Sequence, residues 1–421
     1  MADIPADQSA GIMRAADGRP LKVALARAQT RARRRAFLLV APLLFFVLVT
    51  FVVPIGQMLH RSVHNPTFVD NMPQVAAWFR DTPAGTEPDE AALAALIAYL
   101  AAAAEARTIG AVGTRVNYEM QGTRSLFTAA GRRAGRLEAP YREALLDIDA
   151  KWGDPALWST MRQVSTAYTA NFYLAAVDRT RDLDGSVTRV APDRAVYLTL
   201  FQRTFLLSAL ITFLCLLLGF PIAHLLATLP LRYSNLLMIL VLLPFWTSLL
   251  VRTTAWMVIL QGQGVLNNAL VSLGIIGDTG RVELMYNQAG TVIAMTHILL
   301  PFMVLPLYSV MRTINPSYVR AARSLGATSW TAFRRVYLPQ TLPGIGAGSL
   351  LVFILAVGYY ITPALVGGAS GQLISNLIAF HMQNSLNWSL AAALAALLLA
   401  AVLALYWLYD RLVGVDNMKL G

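Results

Sequence analysis

The sequence predicts an all-α, polytopic membrane protein with six transmembrane helices and a mainly helical extracytoplasmic insertion between the first helix and the second. Three observations carry that prediction. The chain of 421 residues is 56% hydrophobic and only 14% charged, whereas soluble domains are roughly one-quarter charged. It holds six apolar runs, each about the 20 residues that cross a hydrocarbon core of ~30 Å. One long acid-bearing stretch, 60–202, separates the first run from the other five.

Residues 1–35 read as a basic cytoplasmic arm with no apolar periodicity beyond Leu21–Ala28. The first apolar run, Ala36–Leu59, follows Arg31, Arg33, Arg34 and Arg35. It is longer than a signal-peptide core and is expected to stay as the first span. A five-helix core over 203–409 comprises Arg203–Thr228, Leu236–Leu260, Ala289–Met311, Leu342–Val366 and Ser389–Tyr409, followed by a tail, 410–421. Orientation follows from the short loops, because Arg and Lys accumulate on the cytoplasmic side. Arg232 lies between spans two and three, and Arg312, Arg320, Arg323, Arg334 and Arg335 lie between spans four and five. The loop Gly367–Trp388 has no charged side chain. Both termini are therefore expected in the cytoplasm. On the same argument the net charge of +11 is topological, and nucleic acid is not expected as a partner.

The insertion holds most of the acids, among them Asp70, Glu87, Asp89, Glu90, Glu119, Asp147 and Asp178. Ala91–Ala106 predicts an alanine-rich helix whose apolar part is too short and too weakly lipophilic for a span. Leu137–Ile148 carries apolar residues at helical spacing, and Trp152, Trp158, Tyr168, Phe172 and Tyr173 are expected to supply a small core. Two roles fit such a domain: a packing collar over the membrane part, or a docking surface for a solute-binding protein.

Asp and Glu are absent between Asp193 and Asp278, and again between Glu283 and Asp410. Proton-driven carriers commonly route protons through intramembrane carboxylates, so this pattern disfavours a secondary carrier or channel, which stands as the alternative. The ionisable groups at membrane depth are His224, Arg252 and His297. Arg252 sits within snorkelling reach of the outer end of span three, and the two histidines are expected to be hydrogen-bonded packing residues. The single cysteine, Cys215, precludes an intramolecular disulfide or a cysteine metal cluster, and no cofactor is expected on the chain. The lysines are Lys22, Lys151 and Lys419, none preceded by glycine. A phosphate-binding loop needs Gly-Lys-Ser/Thr, so ATP hydrolysis would have to come from another chain.

The segment 312–343 is the most informative. Asn315 with Pro316 starts a short helix. Tyr318, Ala321 or Ala322, and Leu325 recur on one face, Arg320, Arg323 and Ser324 lie on the others, and Gly326 supplies a left-handed end. A second helix carries Trp330, Phe333 and Val336 or Tyr337 on one side, beside Arg334 and Arg335, and is expected to stop at Pro339. Two short helices hinged at a glycine suit a partner's cleft.

The pattern Arg320-Ala321-Ala322-x-x-x-Gly326, nine residues, then Val336-x-Leu338-Pro339 resembles the EAA loop of binding-protein-dependent ABC importer permeases. Arg320 stands where that motif usually has glutamate, and Val336 where it has isoleucine. Leu243-Pro244-Phe245-Trp246-Thr247 with Arg252-Thr253, Leu299-Leu300-Pro301-Phe302-Met303 with Pro306-Leu307-Tyr308, and Leu338-Pro339-x-Thr341-x-Pro343-Gly344 look like the B-type permease of spermidine/putrescine importers. The large insertion departs from that family, which usually joins spans one and two by a short connection. The resemblance implies a type I importer permease in a bacterial inner membrane, itself not an enzyme, conducting polyamines or a related small organic solute. It implies an ABC ATPase in two copies, a second permease subunit and a periplasmic solute-binding protein as partners, with membrane lipid around the spans. Arg320, Ala321, Ala322, Arg323, Gly326, Val336, Leu338 and Pro339 would then dock the ATPase. For a cationic polyamine the path would rest on aromatic faces, and Trp246, Arg252, Trp256, Phe302, Tyr359 and Tyr360 are its candidate residues.

Overall fold

The computed structural model describes residues 21–182 and 185–413. Residues 1–20 of the expected arm and 414–421 of the expected tail lie outside them. The chain divides into two compact units, residues 1–60 and 61–421. In the first, the helix Leu21–Val47, a π turn at Leu48–Val52 and the helix Val53–Arg61 follow one another without a gap. The wide turn falls just before Pro54, which cannot donate to the helical ladder. Residues 21–35, expected as part of a loose arm, are helical. They contain neither Gly nor Pro and are rich in Ala and Arg, so a helix nucleated in the span propagates back through them at little cost. The run over Gln29–Arg61 has a mean hydropathy of 2.9, and its apolar side chains point outward all round, with Leu39 83% exposed. A helix apolar on every face belongs in lipid.

In the second unit, Tyr197–Thr228, Gln288–Thr313, Ser329–Gly358 and Trp388–Arg411 are each long and apolar enough to cross a membrane. With Gln29–Arg61 that makes five among the described residues, or up to seven if each of two bent helix pairs counts as a span. One bent pair replaces the expected continuous third span, Leu236–Leu260. The helix Leu231–Leu242 tightens into a 3₁₀ turn at Leu243–Trp246, and a new helix begins at Leu249 after a turn of 97°. Pro244 withholds an N–H at this point, and the Ser248 hydroxyl caps the new helix by accepting from Val251 N–H at 3.2 Å. The fifth span also differs from expectation. It begins at Ser329, because the second loop helix runs straight through Pro339, and it ends at Gly358 rather than Val366. A π turn at Phe333–Tyr337 passes the helix into the proline, with Leu338 N–H bonded back to Phe333 O.

The core of this unit lies between the second, fourth and fifth spans. Leu207, Ile211, Cys215 and Leu226 face Met295, Leu299, Met303 and Leu307, closed by Val352 and Ala356. Close approach depends on small residues. A Cβ at Gly348 would meet Met303 Sδ at 2.8 Å, and one at Gly344 would meet Pro306 O at 3.2 Å.

The insertion is entered and left through one antiparallel bridge, His64 opposite Tyr168, with Asn65 N–H on Ala167 O and Thr169 N–H on Val63 O, both 2.8 Å. Its body is helical, as expected. The helix Glu90–Glu105 buries Leu93, Leu96, Ile97 and Leu100 against Val112, Phe127, Trp152, Leu157 and Met161, so its apolar face is consumed inside the domain. Only Tyr141–Leu146 of the predicted Leu137–Ile148 helix forms, after Pro140, which donates no N–H and stays extended. Trp152 and Trp158 join the core, but Tyr168 is 66% exposed. Phe172 and Tyr173 pack instead on Ile374, in the helix Ile374–Gln383, and on Leu390 and Leu394 at the start of the sixth span.

Those contacts seat the insertion on the membrane core. The Arg115 guanidinium is 1% exposed, ion-pairs with Glu119 at 3.2 Å and lies over the Phe172 ring at 4.9 Å. The Tyr118 hydroxyl donates to Leu386 O at 3.0 Å. Asp178 is buried and accepts from the N–H groups of Val196, Tyr197 and Leu198 at 3.1, 3.0 and 2.8 Å, so the first turn of the second span is capped by a carboxylate from the insertion. A two-stranded hairpin, Arg179–Arg181 with Val187–Arg189, follows Asp178. Asp178→Ala is expected to destabilise the purified chain by about 1–2 kcal/mol, the usual cost of a lost cap. Thermal unfolding in detergent measures it, and Asp178→Asn should recover part of the loss. Replacing residues 66–166 by a two-residue turn, the shortest hairpin closure of the bridge, should leave a chain that still purifies folded. Extending the excision to residue 192 removes Phe172 and Asp178 and should abolish the folded yield.

Candidate functional site

The basic loop between the fourth and fifth spans begins where the fourth helix ends at Thr313. Arg312 holds that end by donating to Ala227 O at 3.0 Å. Asn315 Oδ1 accepts from Ser317 N–H at 3.0 Å and opens the helix Ser317–Ser324. Gly326 has φ +89°, the left-handed conformation expected of it, and nothing lies near the place of its missing Cβ. Its φ is what requires glycine here. Gly326 N–H returns to Arg323 O at 3.0 Å and Ala327 N–H to Ala322 O at 3.1 Å, closing the helix end. Thr328 then caps the next helix through Thr331 N–H at 3.2 Å.

The outward face of this loop is what marks it. Leu325 is 90% exposed and Trp330 67%, with Tyr318, Ala321, Arg320 and Arg323 exposed beside them. Val319 packs inward against the span core, and Ala322 and Val336 are half-buried. Leu338 is half-buried, while Pro339 stays exposed on the helix that continues past it. Large apolar side chains held at nearly full exposure on a short, well-capped helix mark an interaction surface.

The second cluster forms at the break in the third span. Thr253 and Thr362 share a buried hydrogen bond at 3.0 Å, tying the helix after the break to the short helix Ile361–Val366. Phe245 and Phe302 pack ring to ring with centroids 4.7 Å apart. Trp256 donates its Nε1–H to His297 Nδ1 at 3.1 Å, their rings meeting edge to face at 5.2 Å. Arg252 is half-buried, its Nε buried with no hydrogen-bond partner, and it lies within electrostatic reach of His297 and Tyr359. At the second break, after Gly358, Ser375 donates to Tyr359 O at 2.6 Å and Asn376 to Tyr360 O at 2.7 Å. These side chains replace the backbone partners lost where two helices are interrupted.

Of the predicted path residues, Arg252, Trp256 and Tyr359 come together, and Phe302 joins Phe245 at the bend. Trp246, 72% exposed, and Tyr360 face outward and join neither group. His297 belongs to the cluster more fully than its reading as a packing residue allowed, since its ring is exposed while one nitrogen is held by Trp256. An ionisable residue at mid-span depth was the available signal. His224 is a hydrogen-bonded packing residue as expected, joined to the Tyr337 hydroxyl at 3.0 Å.

Residues 215–414 match the family described as binding-protein-dependent transport system inner membrane component. The chain is 35% identical over 224 residues to the spermidine/putrescine transport system permease protein PotB of Haemophilus influenzae, covering 53% of this chain and 78% of that one. It is 37% identical over 222 residues to the PotB of Escherichia coli, covering 52% and 80%. A bacterial ABC transporter that imports the acidic polysaccharide alginate is a solved structure with a TM-score of 0.43 at 20% identity, over 53% of this chain and 80% of that one. With its multi-span helical core and its exposed, glycine-ended loop, the chain belongs to the inner membrane permease components of binding-protein-dependent ABC transporters, a transport subunit without a catalytic site of its own.

Proposed function

We propose that this chain is the permease subunit of an importer for polyamines of the spermidine/putrescine class, driven by a separate ATPase that docks on the 312–343 loop. The observation that carries the reading is the exposed apolar and basic surface of Ser317–Ser324 and Leu325, closed at Gly326 and built into the ends of two spans. It coincides with the first half of the motif, Arg320, Ala321, Arg323 and Gly326, while Ala322 is half-buried and Val336, Leu338 and Pro339 lie on the helix that follows. Closure of two ATPase subunits would press this surface and tilt the fourth and fifth spans to which it is joined. The polyamine assignment is supported by the names of the PotB relatives.

In this reading the chain crosses the inner membrane six times, the broken third span counting as one, with both termini in the cytoplasm. It pairs with a second permease subunit. The broken span and the Tyr359–Tyr360 break line the path, with Trp256, Phe302 and Tyr359 offering aromatic faces to a cation. No carboxylate lies in the described spans beside Arg252, so cation selectivity rests mainly with the binding protein, for which the insertion offers a docking surface.

Gly326→Pro cannot hold φ +89° and removes the N–H that bonds Arg323 O, so it should unmake the turn between the two loop helices while the spans on either side stay folded. Stimulation of ATP hydrolysis by spermidine-loaded binding protein should be lost, and unimpaired stimulation would refute the loop as the coupling element. Trp256→Phe keeps the aromatic face and removes the bond to His297. Losing one neutral hydrogen bond in the path should lower spermidine uptake by about 2- to 12-fold with little change in stimulated ATP hydrolysis. Uptake rates in proteoliposomes check it.

A further inference from the structure

Trp330, Phe333 and Tyr337 fall three and four residues apart, so their rings line one side of the helix that leads from the loop into the fifth span. Trp330 and Phe333 stack at 5.8 Å with planes 20° apart, and Phe333 and Tyr337 at 5.8 Å and 24°. The outer end of this ladder, Trp330, is exposed beside the docking surface, and the inner end, Tyr337, is buried. There the contacts pass to a helix that the loop does not adjoin in the chain. Phe220 and His224, four residues apart on the second span, meet Phe333 edge-on at 6.1 and 6.3 Å. His224 meets Tyr337 at 5.0 Å, and its Nδ1 shares a hydrogen bond with the Tyr337 hydroxyl at 3.0 Å. The ladder's last two rings bracket the π turn Phe333–Tyr337, a costly backbone form that recurs at functional positions.

Connectivity requires none of this, since the loop joins only the fourth and fifth spans. The second span also packs an apolar face on the fourth and fifth and accepts from Arg312 at Ala227 O. The clasp, however, is the directional contact beside the loop, where a polar pair and interlocked rings fix a register that smooth apolar faces leave free to slide. We propose that His224, clasped by Phe333 and Tyr337, is the positioning residue that makes the second span move as one body with the loop, so that a push on the docking surface reaches three spans instead of two. The proposal rests on the loop being the site of ATPase docking.

The test uses the complete importer in nanodiscs, with Cys215→Ser removing the native thiol and nitroxides at Leu225→Cys on the second span and Ser309→Cys on the fourth. Electron–electron distances are measured before and after trapping with ATP and vanadate. With His224 and Tyr337 intact, one separation should persist through trapping. In Tyr337→Phe, which keeps the ring stack, and in His224→Ala, trapping should add a second, resolved population, and spermidine taken up per ATP hydrolysed should fall by more than half. His224→Gln, which keeps an acceptor for the hydroxyl, should restore the single population. A separation that stays single in both disrupted variants, or that splits equally with His224 and Tyr337 intact, overturns the proposal. A nitroxide at Leu325→Cys reports docking separately: if its mobility does not fall when the ATPase is present, the docking reading fails rather than the role of His224.

Discussion

The architecture of the membrane unit depends on one helix that does not stop where its sequence says it should. Ser329–Gly358 carries the exposed Trp330 at one end and packs Val352 and Ala356 into the span core at the other. It stays continuous because a π turn at Phe333–Tyr337 absorbs the missing N–H of Pro339. A hinge at that proline would let the loop swing without disturbing the spans. A continuous rod instead joins the outward face of the loop to the Gly344 and Gly348 contacts with the fourth span, where close packing leaves no slack.

The opposite device operates at the third span and after Gly358. There the helices break, and side chains of Ser248, Ser375 and Asn376 take over hydrogen bonds that the backbone gave up, while Thr253 ties the piece after the first break to Thr362. Interrupted helices at membrane depth persist only where protein or a cavity satisfies them. Around these breaks stand Arg252, Trp256, His297 and Tyr359, while Leu243–Trp246 turns the chain and sets Phe245 against Phe302. Rigid rods on the loop side and broken rods in the candidate path are complementary: one carries force and the other presents backbone and polar groups.

The insertion is tied to this core by the apolar packing of Phe172 and Ala176 and by polar groups around it. Asp178 caps the second span, Arg115 lies between Glu119 and the ring of Phe172, and Tyr118 reaches Leu386 O. A buried guanidinium with two of its nitrogens unpaired is a costly joint. It is tolerated where the partner ring supplies cation–π attraction and the geometry is held from both sides.

The apolar runs, the acid-bearing insertion and the glycine-ended loop were legible in the sequence. Each is a local property: hydropathy over a lipid-spanning window, charge per segment, and the left-handed φ that glycine accepts at 326. The exposed face of the first loop helix followed from the same local helical period. Tertiary structure decided which prolines break a helix, as Pro244 does and Pro301, Pro306 and Pro343 do not, and which contacts the pieces make. Pro339 reads as a stop, because proline ends helices in isolation, yet packing of Phe333 and Tyr337 on the second span holds the helix through it. Phe172 was assigned to the core of the insertion, yet it packs on the sixth span 218 residues later, at Leu390. His297 meets Trp256 only because the third span turns by 97°. Contacts between residues so far apart along the chain leave no periodicity in the sequence, so only the folded backbone could bring them together.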